Sequence, residues 1–147
     1  MPDLSNLDTS LVYDIRSLFS GCKSLSFIDP NISFWNTSNV EDMSYLFYIC
    51  SSLISLPDIS NWNISKVNYI NNMFGYCEKL NSLPDISKWD ISNIYDFSRV
   101  FYACRALISL PDISKWDISN AYDISLLFYS CKILIILPDI SKWNTKK

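Results

Sequence analysis

A chain of 147 residues, 49% hydrophobic and 18% charged, has the size and balance of one globular domain with a sizeable core. Its longest apolar run, 133–137, is far shorter than the roughly 20 residues a membrane-spanning helix needs, so no span is expected. A net charge of -3, a pI near 4.7 and the lack of any Lys/Arg-rich run argue against a nucleic-acid partner.

The N-terminus, MPDLSNLD, has neither the basic nor the apolar region of a signal peptide. From there a repeat governs the chain. Trp35, Trp62, Trp89, Trp116 and Trp143 are 27 residues apart; Cys50, Cys77, Cys104 and Cys131 keep the same spacing, with Cys22 one residue out of step. The decapeptide LPDISKWDIS occurs at 83–92 and again at 110–119. Units are read at 2–29, 30–56, 57–83, 84–110 and 111–137, with a partial repeat 138–147, all in one domain.

Within a unit, Ile94, Phe97, Phe101 and Cys104 fall at i, i+3, i+7 and i+10, which predicts a helix of two to three turns, capped by Ser92 or by Asn93 with Asp96. The apolar stretches 53–56, 80–83 and 107–110, each stopped by proline, predict short strands that pair in parallel from unit to unit. The segment from PDIS through tryptophan predicts a return loop rich in Asx turns. Neither element buries its apolar face alone, so the units must stack.

MFGYCEKLNSLPDISKWDIS and LFYICSSLISLPDISNWNIS resemble the BspA-like leucine-rich repeat of mycoplasma lipoproteins and bacterial surface proteins. The resemblance covers the whole chain. It implies an α/β fold, a leucine-rich-repeat-like right-handed solenoid with one short parallel strand and one short helix per 27-residue repeat. It also implies a place at the cell surface or outside the cell, in adhesion or protein binding, although this chain shows no signal peptide or lipobox. Ile70, Phe97 and Ile124 stand where the family pattern, kept at Met43, has methionine.

The recurrent residues suggest few chemistries. The cysteines, each at the end of an apolar stripe and none near another in sequence, read as buried free thiols; zinc would need them clustered. With no histidine and two glycines, the usual triads and phosphate loops cannot be assembled, so no enzyme and no cofactor are expected. Asp58, Asp85, Asp112 and Asp139, with Asp14, Asp42, Asp96 and Asp123, could form calcium-binding ladders; the simpler assignment is turn and cap residues accepting backbone N–H groups. Lys88, Lys115 and Lys142 are expected to pair with the first row, and the tryptophans to close the core as lids rather than stack on sugars.

The expected function is a non-enzymatic recognition or adhesion module meeting another protein through the strand face, at Ile54, Asn81, Ile108 and Ile135 with Ser55, Ser82, Ser109 and Ile136. The alternative is a building block self-associating as a homo-oligomer through uncapped ends, and a calcium-binding solenoid is third.

Overall fold

The computed structural model describes Leu4 and residues 7–144. Met1–Asp3, Ser5 and Asn6 of the first expected unit and Thr145–Lys147 of the partial repeat lie outside them. Successive 27-residue lengths of chain lie directly on one another. Phe19, Phe47, Phe74, Phe101 and Phe128 form one column, with centroids 5.4 Å apart at its start and 5.7 Å thereafter. Leu53, Leu80 and Leu107 are buried beside it, as are the isoleucines of the PDIS turns, Ile59, Ile86 and Ile113.

The expected α/β solenoid is not formed. Among the described residues there is no α-helix and no sheet, only a 3-10 turn at Pro30–Phe34 and isolated parallel bridges. That turn sits where the chain carries its one-residue insertion, and the Asp29 side chain caps it by accepting the Asn31 N–H.

The helix fails on dimensions. An α-helix with side chains is about 10–12 Å across, twice the spacing of the phenylalanine column, so helices cannot be stacked at this pitch. The segment instead runs as consecutive turns whose N–H groups alternate in direction. Met43, Tyr45, Phe47 and Ile49 donate to the next coil, at the carbonyls of Tyr69, Asn71, Met73 and Gly75, over 2.8–3.0 Å. The residues between, Leu46, Tyr48 and Cys50, donate three positions back within their own coil. The same alternation recurs from Ile15, Ile70 and Phe97, so a ten-residue stretch too short to hold a helix by itself still satisfies its backbone.

This path requires a left-handed residue every fourth position. Tyr45 and Ile49, Asn72 and Tyr76, Arg99 and Ala103, and Leu126 and Ser130 all have φ between 55° and 63°; in the first coil Ser17 and Gly21 do so. Only Gly21 takes the conformation without steric cost. Ile49, β-branched at φ 59°, is the most strained.

The expected strands at 53–56, 80–83 and 107–110 are extended but too sparsely bonded to make a sheet. The N–H groups of Leu53, Leu80 and Leu107 turn back to Cys50, Cys77 and Cys104, and Pro57, Pro84 and Pro111 have none to give. What remains is isolated links such as Asn81 N–H to Ile54 and a bridge between Ser109 and Ile136. Nor do Ser92, Asn93 and Asp96 cap a helix: Asn93 reaches across to the Ser65 carbonyl, Ser92 N–H turns onto Asp90, and Asp96 closes an Asx turn onto Ser98.

Candidate functional site

The eight residues singled out on the strand face come together in one strip. Ile54 N–H donates to Ser26, Asn81 N–H to Ile54 and Ile135 N–H to Ile108, which sets these positions in register along the stack. Ile54, Ile108 and Ile135 are 36%, 45% and 79% exposed, and Asn81 is exposed too. Beside them Ser55 and Ser109 are half-buried, while Ser82 and Ile136 are exposed; the Ser82 hydroxyl donates to the Asn81 amide oxygen at 3.0 Å. At the first coils the strip borders a hollow of about 300 Å³ lined by Phe27, Ile28, Pro30, Ser55, Leu56 and Pro57.

All five cysteines are free thiols. Cys50, Cys77 and Cys104 are fully buried, and each thiol donates to the carbonyl of a phenylalanine one coil earlier: Cys50 to Phe19, Cys77 to Phe47 and Cys104 to Phe74, at 3.0–3.2 Å. Burial pushes the Cys50 thiol up to about 12 and the Cys77 and Cys104 thiols well above their ordinary value. Thiols held protonated are poor nucleophiles and poor ligands. The expectation of five buried thiols fails at the ends of the row, where Cys22 is exposed and Cys131 half-buried.

The carboxylates are committed locally. Asp58, Asp85, Asp112 and Asp139 each accept the N–H of the serine two residues on, at 3.0 Å, and hydrogen bonds from that serine hold each carboxyl below the usual range. Asp14, Asp42, Asp96 and Asp123 close the same turn onto Arg16, Ser44, Ser98 and Ser125, so this row serves Asx turns and not helix caps. No group of three or more metal-binding side chains occurs among the described residues. Lys88, Lys115 and Lys142 act on their aspartates through space only; the ion pairs at contact distance join Arg16 to Asp14 and Asp42, and Arg105 to Glu78.

The tryptophans are lids, between 3% and 9% exposed. The indole N–H groups of Trp62, Trp89, Trp116 and Trp143 donate to Ile32, Ile59, Ile86 and Ile113 of the coil below, at 2.9–3.3 Å. Trp35, stacked on Trp62 at 6.2 Å, is buried with its N–H unpartnered, next to the insertion that puts the first coil out of step. Sugar stacking would need open ring faces, and these are covered.

A feature the periodicity reading passed over is a second aromatic column. Tyr48, Tyr76, Tyr102 and Tyr129 contact one another in sequence at 5.7, 5.1 and 5.3 Å, half-buried until the last ring, which is 57% exposed. Their spacing of 28, 26 and 27 residues was the available signal, blurred where Tyr76 sits one place late. Gly75 explains the shift: the Tyr48 ring lies over it, and a Cβ there would stand 3.1 Å from the ring edge.

No helix among the described residues is long and apolar enough to cross a membrane. No curated protein and no solved structure matches the chain. One family model, described as "Mycoplasma protein of unknown function, DUF285", matches residues 1–107 and again 52–147, the overlap expected of a repeat. Matched in this way over its full length, the chain belongs to the DUF285 family.

Proposed function

We propose that this chain is a non-enzymatic recognition or adhesion module that binds another protein through the strip at Ile54, Asn81, Ile108 and Ile135. The carrying observation is that these four positions lie exposed and in register on a repeated backbone, while their side chains change from coil to coil. Such a surface varies its contacts without touching the core. The resemblance to BspA-like repeats, read from the Cys-x-x-Leu core and its tryptophan, supports the same function and a location at the cell surface. The lack of a histidine and the raised buried thiols give little means of catalysis.

A photo-crosslinking residue at position 81 should yield one adduct with a partner protein, suppressed by Asn81→Arg on free competitor but not by Lys115→Glu. Equal competition by wild type and Asn81→Arg refutes this surface. A second reading, self-association, is favoured by Ile135, Ile136 and Leu137, which are 79%, 58% and 48% exposed beside one another. Sedimentation of wild type and Ile136→Lys over a wide concentration range tests it, and a wild type that stays monomeric throughout removes it.

A further inference from the structure

The charges are sorted between the faces of the stack. The five turn segments 16–25, 44–53, 71–80, 98–107 and 125–134 lie on one another through the alternating ladder. They carry six cations, Arg16, Lys23, Lys79, Arg99, Arg105 and Lys132, and a single carboxylate, Glu78. Everything else in the chain holds six cations and fourteen carboxylates. An acidic protein therefore presents one basic face.

That face is also where the tyrosine column runs. Arg99 and Arg105 both act on the Tyr102 phenol, and Glu78, through its 3.0 Å pair with Arg105, neutralises part of the charge at the centre. Arg99, Lys79 and Lys132 are exposed and make no ion pair at contact distance.

We propose that this tyrosine and arginine face is a docking surface for an acidic segment of a protein partner, distinct from the Ile54 strip. Tyrosine and arginine are the side chains enriched at protein interface hot spots, and surrounding positive potential selects a carboxylate-rich partner and speeds its arrival. A phosphate backbone fits less well, because Glu78 stands in the middle of the face and the tyrosine rings pack against one another instead of offering open faces to bases. An anionic membrane fits less well for a similar reason: no aliphatic or indole side chain rises from the column to enter lipid.

The test uses the whole chain and a fluorescein-labelled deca-glutamate peptide, read by fluorescence anisotropy at low ionic strength. Deca-thymidylate and phosphatidylglycerol vesicles are the competing anions. The peptide should bind; Arg99→Glu with Lys132→Glu should weaken it about tenfold, Tyr129→Ser by a few-fold, and Lys88→Glu with Lys115→Glu very little. Tryptophan fluorescence reports that each variant keeps its fold. Absent peptide binding, equal weakening by the two charge-reversal pairs, or tighter binding to oligonucleotide or vesicles overturns the proposal. Each of these results leaves the Ile54 strip untouched, because Asn81→Arg lies outside the basic face and is scored separately.

Discussion

Alkaline pH should unfold this protein through its thiol column. In the folded state Cys77 and Cys104 are fully buried and donate to Phe47 and Phe74, and burial holds both thiols protonated far above the ordinary value of 9.0. In the unfolded chain they titrate normally. Below about pH 9 both states keep the proton and stability is constant. Above it the unfolded state alone sheds protons and gains free energy, so stability falls as pH rises. Each thiol contributes about 1.4 kcal/mol per pH unit. The two together remove about 3 kcal/mol by pH 10, a large share of the roughly 5–15 kcal/mol of a typical domain. Cys50, pushed up to about 12, acts in the same direction. The assay is urea unfolding with reductant at about pH 8 and pH 10, for wild type and Cys77→Ala. Tyrosines also titrate near pH 10, so the decisive quantity is the difference between the two proteins: Cys77→Ala should lose about 1.4 kcal/mol less than wild type over this interval. An identical loss in both would show that the Cys77 thiol is not confined to its protonated form, and the buried column would be wrong.

Trp89→Ala should cost about 3–5 kcal/mol in the same urea assay, since it empties a buried site and strands the Ile59 carbonyl; a loss below about 1 kcal/mol would mean an open ring. Ser17→Gly should raise stability by about 0.5–1 kcal/mol, because Ser17 is exposed at φ 58° and glycine takes that conformation without the left-handed penalty; a decrease would contradict the turn geometry. Acid should lower the thermal midpoint. Asp58, Asp85, Asp112 and Asp139 have carboxyls held below the usual range, so their stabilisation is complete above about pH 4 and is lost as pH falls through their lowered values; a midpoint unchanged between pH 5 and pH 2.5 would remove these turns from the account.

The 27-residue spacing of tryptophan and cysteine made the stacking legible, and the side chains it marked, Phe47, Phe74, Phe101, Cys77 and Trp89 among them, are buried. Element type was not legible. A run of turns reset every fourth residue, as at Arg99 and Ala103, puts Phe97, Phe101 and Cys104 at the same intervals as a helix, and ten residues are too few to separate a period of 4 from one of 3.6. The usual warning of left-handed backbone is glycine, and this chain fills those positions with Tyr45, Ile49 and Arg99 instead. The strip at Ile54 and Asn81 could be read because register alone places it. The basic face could not be seen as a run, since Arg99, Arg105 and Lys132 are brought together only when the coils stack.

The alternating ladder has a consequence for how such a molecule changes over generations. Phe47 bonds to Met73 as Phe101 bonds to Leu127, and Trp89 bonds to Ile59 as Trp116 bonds to Ile86; each junction uses the same atoms in the same register. A coil removed or duplicated whole therefore leaves its neighbours facing a partner of unchanged shape. Identical stretches such as 83–92 and 110–119 offer matching ends for unequal recombination in the coding sequence. Molecular length then becomes an inherited variable that moves in steps of one coil, near 5.7 Å along the phenylalanine column, carrying both outer faces with it.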